Sequence, residues 1–218
     1  PNVDRLTGLS LQDAYIGLLT SHALLSILAP VSVAGDANFL GTNISMANVY
    51  VGILVLGFAL IGLFLRKHWT AWVATIFGLI CLLASMGPHT PMREFMYDFV
   101  PGMNLFRMSS FFSYFSQVAL LVLAAIALEK VLENPSGAKK KMQLAFGFVL
   151  LALSAVAISS WIDRPEEAAT IFQHLDDLAA FTYHQRLVFH SLLQIGVVAV
   201  FLMVVIALRN QKSALSVA

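Results

Sequence analysis

Three groups of polar residues in this 218-residue chain have residue types that could do chemistry. The first lies in a segment reading Gly87-Pro88-His89-Thr90-Pro91, then Met92 to Val100, then Pro101-Gly102-Met103-Asn104-Leu105-Phe106-Arg107. Its prolines and glycines demand a shaped, non-helical path. Arg107 closes the segment, just ahead of the aromatic residues Phe111, Phe112, Tyr114 and Phe115. A fixed guanidinium offers paired N–H donors that match a phosphate, which makes Arg107, with His89 in the same loop, a candidate substrate-binding residue. The other use of such an arginine is to snorkel to lipid headgroups beside an aromatic belt.

The second group is Arg186 and His190, four residues apart, with Gln194 one turn deeper. On a helix they form one polar stripe, which serves either to line a groove for substrate or to hydrogen-bond a neighbouring helix. The third group is His174, His184 and His190 with Asp176 and Asp177, residue types that suit zinc or manganese. Their spacing argues against a metal site: His184 and His190 are off the three- or four-residue step, and His174 with Asp177 is only an i, i+3 pair. No divalent metal is expected, and solvated polar faces are the simpler account. Asp36 and Asn43 read as turn residues. The chain has no glycine-rich nucleotide loop, no Ser/His/Asp nucleophile context and no cysteine ligand set. The catalytic residues are therefore unassigned.

The elements that must position these residues are set by composition. Hydrophobic residues make up 59% of the chain and charged residues 11%, and the mean hydropathy is +0.81. Such a chain needs lipid around it. A net charge of +1 gives no case for nucleic acid, and the one cysteine, Cys81, lies in an apolar run and reads as a packing residue. The expected fold is all-α, a polytopic integral membrane helix bundle forming one domain over residues 1–218. About five transmembrane helices are predicted, at about 49–65, 70–86, 111–128, 143–162 and 187–208, because each run approaches the roughly 17–25 residues that cross a hydrocarbon core.

Two further segments read as external interfacial helices. In Asp163 to Phe181, Ala168, Ile171, Phe172, Leu175 and Leu178 recur at helical steps opposite Glu166, Glu167, Gln173, His174, Asp176 and Asp177, with Asp163 as the expected cap and a helix over about 164–181. The stretch from Leu11 to Leu28 is apolar but carries Thr20, Ser21 and His22, and reads as a surface or re-entrant helix. If it spans instead, the count becomes six and the N-terminus moves inside. Asn134 to Lys141 reads as a short loop.

Charge gives these spans a direction. Eight of the thirteen Lys and Arg residues (Arg66, Lys67, Lys130, Lys139, Lys140, Lys141, Arg209 and Lys212) follow the first, third and fifth spans, while ten of the twelve acidic residues fall on the opposite side. The positive-inside rule places the Lys139–Lys141 loop in the cytoplasm and the acidic loops outside.

The run from Tyr50 to Lys67, "YVGILVLGFALIGLFLRK", and the segment from Ala84 to Arg107, "ASMGPHTPMREFMYDFVPGMNLFR", resemble the bacterial YfhO-type membrane proteins. Tyr50, Val51, Gly52, Thr90, Pro91, Pro101, Gly102, Phe106 and Arg107 carry the likeness, and Ile27 to Asn43 is similar to that family's external loop. The family's second arginine after Phe-Arg is missing, since Ser109, Ser110 and Phe111 stand there. The resemblance covers about Leu11 to Leu128. It implies a GT-C-like glycosyltransferase in the bacterial cytoplasmic membrane that draws on a polyprenyl-phosphate sugar donor at the external face. It also implies a partial chain whose acidic general base precedes Pro1. Its partners would be membrane lipids and a lipid-linked sugar. The alternative reading is a non-catalytic integral membrane subunit packed against other membrane subunits in a larger complex.

Overall fold

A computed structural model describes residues 8–30, 48–65, 69–173, 177 and 180–215. In chain order the α-helices are α1 (Leu11–Ala14), α2 (Ser21–Leu24), α3 (Ile53–Leu63), α4 (Trp69–Ser85), α5 (Met92–Phe99), α6 (Phe112–Glu133), α7 (Pro135–Asp163), α8 (Pro165–Ala169) and α9 (Tyr183–Leu215). No strand occurs among the described residues. Three stretches are long and apolar enough to cross a membrane: Ser109–Glu133, Pro135–Asp163 and Tyr183–Ala207. Two shorter apolar helices, α3 and α4, accompany them.

The distribution of side chains is that of a bundle solvated by hydrocarbon. Large apolar residues point outward on every long helix, among them Trp72, Ile76, Leu121, Phe148, Leu151, Ile158, Val200 and Met203. Small residues face inward. On α4 the buried positions include Ala71, Ala74, Gly78, Cys81 and Ser85, a three-four-three-four spacing that keeps one small-residue seam against a neighbour. Lipid tails are as apolar as leucine, so such helices associate through close packing instead of burial of bulk. The protein is an all-α, polytopic integral membrane helix bundle whose outer face contacts lipid.

At the centre Phe146 of α7 is fully buried and packs on Phe58 of α3 and Phe201 of α9, with ring centroids 5.6 and 5.1 Å away. Gly57 makes room for it: a Cβ there would overlap the Phe146 ring. Gly62 does the same against α6, where a Cβ would stand 2.6 Å from the Leu123 carbonyl oxygen.

Several sequence expectations change in detail, the first being that Met92–Phe99 forms the helix α5 inside the segment expected to take a non-helical path. α6 and α7 are longer than the apolar runs that mark them, because Asn134 to Lys141 is not a loop. Asn134 alone links the two helices, its Oδ1 accepting from Gly137 N at 2.9 Å and Pro135 starting α7. The stretch 11–28 is not one helix. Gly17 has φ +69, Thr20 Oγ1 caps α2 by accepting from Ala23 N at 3.2 Å, and a 3-10 turn follows over Leu25–Ile27. Asp163 ends α7 instead of capping a new helix; Arg164 precedes α8 without a side-chain cap. α8 stops at Ala169, followed by a 3-10 turn over Ile171–Gln173.

The first run is helical over Ile53–Leu63 only. Its 11 residues rise about 16 Å, roughly half of a ~30 Å hydrocarbon core. Before it, the backbone is satisfied by side chains: Val49 N donates to Ser26 Oγ at 2.9 Å, and Ile53 N to Tyr50 Oη at 3.1 Å.

Gly62→Ala forces α3 away from the α6 backbone and is expected to destabilise the bundle by about 1–3 kcal/mol. Gly147→Ala, in α7 with open space at the new Cβ, is expected to be neutral or to stabilise by about 0.5–1 kcal/mol. Thermal unfolding of both variants in the same detergent checks the contrast.

Candidate functional site

One end of the bundle is closed by an irregular cap built from residues 8–30 and 85–111. Three hydrogen bonds tie the two segments together: Leu9 N to Asn104 O at 2.9 Å, Leu19 N to Ser85 O at 2.8 Å, and Ser110 N to Gly17 O at 3.0 Å. Two side chains add to them: Ser109 Oγ donates to Ala14 O at 2.8 Å and Tyr97 Oη donates to Leu9 O at 2.5 Å. Each bond satisfies a backbone group where no helix is available to do so.

The guanidinium of Arg93, on α5, is the anchor of the cap. It is 0% exposed. Nη2 donates to Phe106 O at 2.7 Å and to Met103 O at 3.2 Å, Nη1 reaches Met103 O at 3.3 Å, and Cζ lies 5.4 Å from the centre of the Phe112 ring. Carbonyl dipoles and a π face therefore carry this buried cation, without an ion pair to a carboxylate among the described residues. Burial pushes its pKa below the ordinary arginine value, against the pull of Tyr15 and Tyr97. Burial likewise pushes the Tyr15 phenol up, with Glu94 adding to the effect.

The carbonyls that Arg93 grips belong to the strand of chain that delivers Arg107. Gly102 turns at φ +81, and Met108 holds φ +70, the one positive φ at a non-glycine residue among those described. That conformation costs on the order of 1–3 kcal/mol and persists only where the surroundings over-determine it. Here they are the Arg93 grip on one side and the Ser109 and Ser110 bonds on the other. Held between them, Arg107 is exposed, with exposed aromatic residues Phe106, Phe111, Tyr114 and Phe115 around it in the chain. It makes no hydrogen bond or ion pair with the described residues, so its guanidinium is free for a ligand.

His89 is exposed as well, on the 3-10 turn Gly87–His89. Gly87, at φ +57, lies close to both other parts of the cap: a Cβ there would sit 3.2 Å from Leu18 Cβ and 3.7 Å from Ser109 Oγ. His89 and Arg107 thus belong to the same end of the bundle.

The stripe on α9 is used differently. Arg186 is 3% exposed and donates Nε to Phe181 O at 2.8 Å, fixing the turn that leads into α9. His190 is half-buried with its ring edge-on to Phe189 at 5.5 Å. Gln194 Oε1 accepts from Tyr50 Oη at 2.8 Å, a bond between α9 and the start of α3. Gln185 ties α9 to α8 through Glu167 O and Thr170 Oγ1, at 2.9 and 3.0 Å. No described contact joins this stripe to Arg107 or His89.

His174, Asp176, Asp36 and Asn43 lie outside the described residues. Among the described residues no three metal-ligating side chains come together. Arg93 is the residue that sequence reasoning passes over. Its partners lie 10 and 13 positions ahead on an irregular path, so no periodicity announces them.

No family model matches this chain, and neither a curated protein nor a solved structure matches it.

Arg93→Met leaves the Met103 and Phe106 carbonyls without their donor, and is expected to cost about 1–3 kcal/mol. Hydrogen exchange localises the effect: amides of residues 103–111 should exchange at least about tenfold faster, with the middle of α7 unchanged. Arg93→Lys should restore only part of the protection, since one ammonium lacks the planar fork.

Proposed function

We propose that this chain is the membrane part of a GT-C-like glycosyltransferase that uses a polyprenyl-phosphate-linked sugar, and that Arg107 reads the carrier phosphate. The observation that carries the reading is an exposed guanidinium, unpartnered among the described residues, on a stretch of backbone whose preceding carbonyls a second, buried arginine holds. Its planar fork, free of any other partner among the described residues, suits phosphate oxygens. The surrounding aromatic residues suit the depth at which a polyprenyl chain meets its phosphate, since aromatic rings collect at the membrane interface. His89 supplies a second polar group at the same end. The sequence likeness of Tyr50–Lys67 and Ala84–Arg107 to YfhO-type proteins points the same way. In this reading Arg186 holds the turn into α9 and His190 stays on the same helix, apart from Arg107 and His89, and the general base is left unassigned.

The proposed setting is the bacterial cytoplasmic membrane, with the 85–111 cap external and Lys139–Lys141 cytoplasmic, as the partition of lysines favours. A second reading, a non-catalytic subunit of a larger membrane complex, draws on α5. There Phe95 and Phe99 stack at 5.0 Å, both exposed and both outside the candidate spans, as a protein contact would require.

Arg107→Ala is expected to abolish sugar transfer at normal expression and to weaken polyprenyl-phosphate binding about tenfold or more, the worth of a charge-assisted pair. Arg107→Lys should retain part of the binding. Unchanged turnover and affinity in Arg107→Ala would contradict the assignment, and co-purification of a stoichiometric partner lost on Phe99→Asp would favour the subunit reading.

A further inference from the structure

At the opposite end of the bundle, where α6 gives way to α7 through Asn134 alone, the helices enclose a cleft of about 260 Å³. Its walls have two characters. Ile61 of α3, Leu65 two residues past its end, and Val131 from α6 make an apolar side. Lys130, Glu133 and Lys141 make a polar rim, with Asn134, Gly137 and Ala138 between. Asn134, Gly137, Ala138 and Lys141 follow the i, i+3, i+4, i+7 pattern, so they share one face of α7. Lys141 is thereby turned toward the cleft, while Lys139 and Lys140 do not line it.

The charges decide what fits. Lys130 pairs with Glu133 at 2.7 Å, and Lys141 adds one positive charge, so the rim carries a net charge of about +1. A phosphodiester brings it to zero, and the glycerol and acyl chain attached to it use the apolar wall as a free sugar would not. The volume lies a little below the roughly 300–1,000 Å³ of whole small-molecule pockets, which suits a headgroup whose tails remain in the bilayer. The position agrees, since the last turn of one spanning helix and the first turn of the next stand at the membrane boundary. Basic pockets between spanning helices recognise anionic lipid headgroups in this way.

We propose that this cleft is a binding site for the phosphodiester headgroup of an acidic phospholipid, with Lys130 and Lys141 on the phosphate and Ile61, Leu65 and Val131 against the glycerol and upper acyl chain. The site is separate from the Arg107 end and does not depend on how that end functions. Its occupant would brace the α3 end against the α6–α7 link, where one residue joins two long helices.

Native mass spectrometry of the full chain, released from mixed micelles of equimolar phosphatidylglycerol and phosphatidylcholine, tests the proposal. The wild-type chain should retain phosphatidylglycerol over phosphatidylcholine by about fivefold or more, the scale of one or two basic residues near anionic lipid. Lys130→Gln with Lys141→Gln should reduce the ratio to about one, and Lys139→Gln with Lys140→Gln should leave it unchanged. Ala138→Leu fills the cleft with both lysines in place, and is also expected to abolish the preference; this variant decides the matter if the double lysine variant fails to fold. Equal retention by the wild-type chain, an equal loss in the Lys139/Lys140 variant, or a preference that survives Ala138→Leu would each overturn the site. So would displacement of the lipid by excess inorganic phosphate, which would mark a site for the free anion.

Discussion

The structure depends on one constraint, that every backbone N–H and C=O near the membrane must find a partner inside the protein. The long helices meet it by themselves. Wherever the chain is not helical, a specific donor or acceptor has to be supplied, and those supplied bonds determine the architecture of the capped end. Ser26 serves Val49, Tyr50 serves Ile53, Ser85 and Asn104 serve the 8–19 segment, and Arg93 serves Met103 and Phe106. The chain on either side of α5 can thus leave helical geometry without leaving its peptide groups bare.

A second consequence follows from the solvent. With no hydrophobic drive between helices in hydrocarbon, contact has to come from close approach, and the close approaches here are made by glycine, alanine and serine. Gly57 and Gly62 let the short α3 sit against α7 and α6, and Phe146 fills the space left at the middle. α3 is too short to span, yet 6 of its 11 residues are buried. It is held as an inner wedge by the longer helices, with Tyr50 Oη accepting from its first amide, Ile53 N, while donating to Gln194 Oε1.

The helical runs and their apolar character are legible in the sequence because they follow from composition and length alone. Their alternation is legible too, since the Asn134 link, the Lys130 and Lys141 cleft and the end of α3 gather at one end, and the 85–111 cap, α8 and the start of α9 gather at the other. Breaks within apolar stretches are not. The left-handed turn at Gly17, the loss of helix before Ile53 and the single-residue link at Asn134 arise from tertiary bonds and caps that composition does not encode. Arg107 and His89 stand out by type and position, and the structure leaves both exposed. Arg186 looks equivalent in sequence but is buried against Phe181 O. Arg93 looks like an ordinary charge on an amphipathic turn, and only the fold brings it to carbonyls 10 and 13 residues away.

The central claim is that the Arg93-braced loop presents Arg107 at the membrane interface, where a lipid-borne phosphate resides. A spin label at position 107, in a chain whose buried Cys81 is replaced by alanine, measures this directly through its depth in a bilayer, with labels at Ile158 and Lys140 as references. The account predicts that the label at 107 lies at headgroup level, shallower than the one at 158 and protected from the aqueous relaxant that reaches the one at 140. A label at 107 as open to that relaxant as the one at 140, or as deep as the one at 158, would contradict it.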